Sequence, residues 1–263
     1  MTKRSGASGP KVRLQGWKSF SRNVLKVRAG FRAREAEVLA GGPVVIDFFV
    51  KNFGRRTLHL AVATDRSRLR PDYYSFEGCV ERGKGAGGQN IALEDPLKDS
   101  GYFGGPASVM KVEPGGTYSY PLLVNDFLRL ELALSSMKRG EAGMLRFRCR
   151  RPLPLAANDR GAFRMGPKAP VVEITLSLRI RRDERALGRL IEGLADDIRT
   201  HWPTFATIEF EGAISKLTAL RIPAVVPALR TLVGHPDGGT RWRAMRALAI
   251  IEEMAKGGQS AIR

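Results

Sequence analysis

A chain of 263 residues, 43% hydrophobic and 27% charged, has room for one large or two modest globular domains and enough apolar material to bury a core. Its 44 lysines and arginines outnumber 26 aspartates and glutamates, a formal net charge of +18 that attracts nucleic acid, anionic lipid or acidic proteins without specifying a fold. It has no run of about 18 apolar residues to cross a membrane, and its two cysteines, Cys79 and Cys149, lack the CxxC spacing of a zinc or redox site.

The basic charge begins at once. Residues 1–34 contain Lys3, Arg4, Lys11, Arg13, Lys18, Arg22, Lys26, Arg28, Arg32 and Arg34 and no acidic residue. The opening MTKRSGASGPKVRLQG has the composition of a disordered arm, and residues 1–21 are expected to form a flexible basic extension. No apolar stretch of about 7–15 residues follows the basic start, so it does not read as a signal peptide. A cytoplasmic product is the default expectation, with export left open only by a start codon placed too late.

From residue 22 to 180 the pattern has period 2. In LKVRAGFRA, Leu25, Val27, Ala29, Phe31 and Ala33 alternate with Lys26, Arg28, Gly30 and Arg32, predicting a half-buried strand with a basic outer face. A Gly-Gly-Pro entry then leads to an apolar strand at 44–50, a turn at Asn52–Gly54 and a second strand at 57–63. DYYSFEGCV follows, and Pro114-Gly115-Gly116 predicts a hairpin turn between two further strands. AGMLRFRCR and PVVEITLSLRIRR bring the count to at least seven strands. Short strands without intervening helices indicate an antiparallel β-sandwich. The two cysteines lie on these strands. A disulfide would need their Cα atoms within about 7 Å; in a reducing compartment both read as small buried hydrophobes.

Two segments are longer than ordinary connections, 81–105 and 151–170. The first is Gly-rich but lacks a phosphate-binding GxxxxGK[ST]. Its Tyr102 and Phe103 are candidate partner contacts if they stand at a loop tip, and cover for the sandwich end if they fold back.

GGPVVIDFFVKNFG, VEPGGTYSYPLLV and GEAGMLRFRCR together resemble a group of bacterial immunoglobulin-like β-sandwiches, over about residues 22–180. The resemblance implies an antiparallel sandwich of no known chemistry, often joined to other modules. One branch of such sandwiches inhibits peptidases through loops, but no segment here matches a reactive-site loop.

At Asp183 the period changes to 3.6. Leu187, Leu190, Ile191, Leu194 and Ile198 fall on one face of a helix with Asp183 at its N-cap. Trp202-Pro203 breaks it. Further helices are predicted at about 209–220, from Pro223, and at about 240–256, the last stopping at Gly257-Gly258. Asp237 is expected to cap that helix, with Arg241 pairing to it or to a neighbouring carboxylate. IPAVVPALRTLVGHPDGGTRWRAMRAL, with Pro223, Pro227, Asp237, Arg241, Ala244 and Leu248 in place, resembles a HEAT repeat of the short bacterial type also seen in phycobilin lyases. It covers about 209–256, roughly one and a half repeats. One repeat cannot bury its own apolar face, so the unit is expected to stack on helix 184–200 and on the sandwich, or on another chain. The fold class is therefore β + α multidomain: arm 1–21, sandwich 22–182, helical module 183–258 and tail 259–263.

No catalytic pattern is present. His59, His201 and His235 share no metal spacing, and no GxSxG, HExxH, DxDxDG or Walker sequence occurs. The expectation is a non-enzymatic protein that binds or scaffolds another protein, with no cofactor, contacting it through Tyr102, Phe103, Trp242 and Arg243. Trp242 reads equally as packing between helical unit and sandwich. The alternative is a nucleic-acid-associated accessory protein whose phosphate contacts are Lys11, Arg13, Lys18, Arg22 and Arg246; a peptidase inhibitor is a further reading.

Overall fold

A computed structural model describes residues 12–22, 25–63, 74–82, 90–95, 107–153, 155, 169–200 and 212–260. The strands are β1 Gln15–Arg22, β2 Leu25–Ala33, β3 Glu37–Leu39, β4 Val45–Asn52, β5 Leu58–Ala63, β6 Ser75–Arg82, β7 Ile91–Leu93, β8 Ala107–Val112, β9 Thr117–Leu123, β10 Ala142–Pro152 and β11 Val171–Arg181. The helices are α1 Glu131–Ser136, α2 Glu184–Thr200, α3 Ala213–Ala219, α4 Val226–Leu232 and α5 Gly238–Ser260. Strands β1-β2-β4-β9 form one sheet, β3-β11-β10-β6-β7 a second, and β5-β8 a two-stranded third. Among the described strands all pairings are antiparallel except β3 with β11, which is parallel and departs from the wholly antiparallel expectation.

Period-2 alternation decides what goes inside. Phe31 of β2, Ile46 and Phe48 of β4, Leu145 and Phe147 of β10, and Leu176 and Leu178 of β11 belong to one buried cluster fed by both larger sheets. Phe31 meets Phe76 of the opposite sheet at 6.3 Å between ring centroids, and Phe76 meets Phe127 at 4.5 Å. The segment from Val124 to Met137, for which no helix is predicted, contributes Val124, Phe127, Leu128, Leu130, Ala133 and Met137 to the same core. The core also holds a cation. Arg151 is buried, its guanidinium 4.0 Å from the Tyr74 ring centroid and 4.9 Å from that of Phe48, with its Nε lacking a hydrogen-bond partner among the described residues.

Residues 15–21, expected in a flexible arm, are strand. β1 pairs with β2 along its whole length, and Arg13 exchanges two backbone hydrogen bonds with Ser177 of β11 (2.9 and 3.0 Å), so this segment ties the two larger sheets together. The Ile174 side chain explains why β1 carries Gly16: a Cβ there would lie 2.5 Å from Ile174 Cγ2.

The Pro114-Gly115 turn forms, with Gly115 at φ +79, but it closes no hairpin. β8 before it pairs with β5, and β9 after it pairs with β4. The chain changes sheet twice at one corner, between β4 and β5 and between β8 and β9, and that corner is held by buried Asn52. Its side chain donates to the Arg56 and Val112 carbonyls at 2.8 and 2.9 Å and accepts from Gly54 N–H at 2.9 Å.

The helices bury a second cluster, with Leu187 and Ile191 of α2, Leu217 of α3, Leu229 of α4 and Ala244 and Ala247 of α5. Asp183 caps α2 through Ala186 N–H (2.9 Å), and Asp237 caps α5 through Thr240 N–H (2.6 Å), as their spacing predicts. Two details differ. Arg241 bonds the His235 and Pro236 carbonyls rather than a carboxylate, because the turn leaves those acceptors at its reach. And α5 runs through Gly257-Gly258 to Ser260, since glycine permits a helix stop without enforcing one.

The helical cluster rests on the β core through Leu39 and Leu134, which pack against it. Arg221 adds a polar tie. It is buried, has φ +47, and its guanidinium donates to the Asn125 carbonyl at 2.7 Å. Asn125 in turn accepts from Val44 N–H and donates to the Gly42 carbonyl.

Glu141, before β10, accepts two hydrogen bonds from Arg82 (2.9 and 3.0 Å) and one from Lys138 N–H (2.6 Å). The Arg82 bonds and then the Lys138 amide hold its carboxyl down at about 2. A folded value below the unfolded one, about 4.3, gives stability that is complete above that pH and lost as pH falls toward 2. Glu141→Gln should therefore have a lower urea midpoint than the natural chain at pH 7 and converge with it near pH 2. Parallel curves across that window would remove Glu141 as a source of acid sensitivity.

Candidate functional site

Two surfaces stand out, and they differ in chemistry. The first lies on α5. Thr240, Ala244, Ala247 and Ile251 are buried on the side facing α3 and α4, while Trp242, Met245 and Ala249 form an exposed stripe on the other. Trp242 is 55% and Met245 57% exposed, with the Arg246 guanidinium 5.2 Å from the Trp242 ring centroid. Desolvation holds Arg246 below the usual arginine range.

The second is the outer face of the four-stranded sheet. Register places Gln15, Trp17, Ser19 and Ser21 of β1 beside Arg32, Gly30, Arg28 and Lys26 of β2, and these beside Asp47, Phe49 and Lys51 of β4. Trp17 and Phe53 are 46% and 47% exposed. The Arg28 guanidinium lies 5.2 Å from the Trp17 ring and 5.0 Å from the Phe53 ring, and Lys51 Nζ lies 5.2 Å from Phe53. The Phe53 backbone is anchored by its N–H to the Lys26 carbonyl at 2.8 Å. At the far end of the face, Arg32 and Arg34 share Asp47 (3.3 and 2.7 Å).

The other large sheet is also arginine-rich outside, yet three neighbouring arginines of β10 are matched by glutamates. Arg146 pairs with Glu81, Arg148 with Glu77 and Glu173, and Arg150 with Glu173. Among the described residues, Lys26, Arg28 and Lys51 have no carboxylate partner, so the four-stranded face keeps a cluster of uncompensated cations beside its exposed rings. A pocket of about 320 Å³ at the start of α2 is lined by Arg139, Arg181, Arg182 and Arg185. Its arginines are largely engaged: Arg181 bonds Asp183 and Glu37, and Arg182 bonds Glu184.

Of the residues singled out by sequence, Trp242 and Arg246 stand together on the α5 stripe. Arg243 does not join them, because its guanidinium turns inward to Ser215 Oγ at 2.9 Å and burial holds it below the usual arginine range. Lys18 is exposed on β1, an edge strand, and Arg13 serves its backbone bridge with an exposed side chain. Tyr102, Phe103, Lys11 and the Arg22 side chain lie outside the described residues, as does most of the two long segments.

The cysteines are free. Burial pushes the thiols of both Cys149 and Cys79 up, which makes them poor nucleophiles. Among the described residues no group of three or more His, Cys, Asp or Glu side chains is placed to hold a metal ion, and no helix is long and apolar enough to cross a membrane.

No protein-family model matches the chain, and no curated protein is similar enough to it to count as a relative.

Proposed function

We propose that the chain is a non-enzymatic protein-binding module: an immunoglobulin-like sandwich carrying a short HEAT-like helical unit that presents α5 to a partner. The observation that carries this reading is the Trp242–Met245–Ala249 stripe, left open on a helix whose opposite face is fully engaged. HEAT-like units bury such faces by stacking the next helix on them. The partner element is accordingly an amphipathic helix whose apolar ridge covers Trp242 and Met245, with acidic flanks facing Arg246 and Arg241.

The test is a tagged pull-down from nuclease-treated native lysate at about 200 mM salt, a concentration that strips phosphate contacts but spares apolar interfaces. A Trp242→Ala/Met245→Ala variant should lose the captured protein, since truncating a hot-spot tryptophan weakens binding by about 2 kcal/mol or more. A Lys26→Gln/Lys51→Gln variant should retain it. Equal capture by natural chain and α5 variant, or no protein captured once nucleic acid is digested, would overturn the reading.

A further inference from the structure

The outer face of the β1-β2-β4-β9 sheet carries an independent inference. Two large aromatic side chains, Trp17 and Phe53, are nearly half exposed there, whereas the other described aromatic residues except Trp242 are buried or half-buried. They are not adjacent in sequence; sheet register and the Phe53–Lys26 backbone bond bring them to either side of Arg28. With Arg28 Cζ at 5.2 Å from one ring and 5.0 Å from the other, the rings are no more than about 10 Å apart, within the reach of neighbouring nucleotides on an extended strand. Gly30 lies directly opposite Trp17 and has no side chain to cover the indole.

Charge supplies the complementary half. Lys26, Arg28 and Lys51 have no carboxylate partner among the described residues, and Asp47 is the one acid at the outward positions of these four strands. A face meant only to be solvated would resemble the other sheet, where glutamates answer the arginines. Instead cations alternate with rings, in the order Trp17, Arg28, Phe53, Lys51.

We infer that this face binds single-stranded nucleic acid, with bases stacking on Trp17 and Phe53 and phosphates held by Lys26, Arg28 and Lys51. A duplex hides its base faces in its own stack and engages only the cations, so the rings select for a single strand. Stacking on a ring face uses the π-surface that every base shares, and recognition is accordingly tolerant of sequence.

The experiment is fluorescence anisotropy with labelled 12-nucleotide oligo(dT) and oligo(U) and a 12-base-pair duplex, from 50 to 200 mM salt. Both single strands should bind more tightly than the duplex. The logarithm of their affinity should fall with log salt at a slope of about −2, as expected for three phosphate contacts on a single strand. Trp17→Ala and Phe53→Ala should each weaken single-strand binding by roughly 5-fold or more with little change in melting temperature. Lys26→Gln/Lys51→Gln should flatten the salt slope. Equal affinity for strand and duplex, unchanged by either aromatic substitution, would overturn the inference in favour of unspecific charge. No binding at 50 mM salt would overturn it outright. A preference for oligo(U) over oligo(dT), or the reverse, would support it and name the source of the strand.

Discussion

Gly30→Ala should lower the melting temperature by about 10 °C, the largest effect expected of any single methyl group on this chain. A Cβ at Gly30 would lie 2.0 Å from the Gly16 carbonyl oxygen and 2.7 Å from Trp17 Cα, both backbone atoms of the neighbouring strand. Neither can rotate away as a side-chain tip would, so β1 itself has to move. Overpacking of this kind costs about 3 kcal/mol, which for a domain of this size is about 10 °C. The consequence extends beyond β2, because β1 also carries the Arg13–Ser177 bridge to the second sheet and presents Trp17. Gly188→Ala is the matching control. It adds the same methyl on α2, where no atom lies within 4 Å, and should be neutral or stabilising by up to about 1 kcal/mol. Equal melting temperatures for the two variants would mean that β1 does not lie against β2 at the described distance.

The contrast between those two glycines shows what the sequence makes legible. Helices are local objects, so the spacing of Leu187, Ile191 and Ile198, the Asp183 cap and the Pro223 entry place α2 and the start of the α4 segment within a few residues. Strand existence is nearly as local: LKVRAGFRA declares its buried and basic faces by alternation alone. Strand partners are not local. Pro114-Gly115 predicts a turn correctly, but that β8 and β9 leave it for different sheets depends on Asn52, which gathers Arg56, Gly54 and Val112 around one amide. The aromatic-basic face was hidden for the same reason. Trp17 and Phe20 sit beside Lys18 and Arg22 in sequence, yet the pleat sends Trp17 outward and packs Phe20 against the core. The true neighbours of Trp17 are Arg28 and Phe53, which only the register reveals. QGWKSFSR carries no period-2 apolar pattern, since Trp17 and Phe20 fall on opposite faces, and its basic, small-residue composition therefore reads as a disordered arm.

Arg221→Met should uncouple the helices from the β body without unfolding either. Arg221 is the one described residue other than glycine at positive φ, and its guanidinium crosses from the α3–α4 connection to the Asn125 carbonyl, with Asp126 Oδ1 at 4.0 Å. Asn125 is itself committed to Val44 and Gly42, so this carbonyl is fixed in place and buried. Methionine keeps the apolar stem and removes the donor, which leaves the carbonyl without its partner at a cost of about 2–3 kcal/mol. The apolar contact between the two clusters centres on Leu39 and Leu134 packing near Ile222, with the exposed Arg139–Glu184 pair at the start of α2, so the loss concentrates at the α3–α5 side of the junction. Native-state hydrogen exchange reads this directly. In the variant the amides of α4 and α5 should exchange about 30-fold faster or more, by the equivalence of 1.4 kcal/mol to a factor of ten, while those of β10 and β11 keep their protection. Uniform acceleration across both regions would show one cooperative unit in which Arg221 stabilises the whole. No acceleration would show that the apolar contact alone holds the helices, with Arg221 retained there at a strained backbone position for no gain in stability.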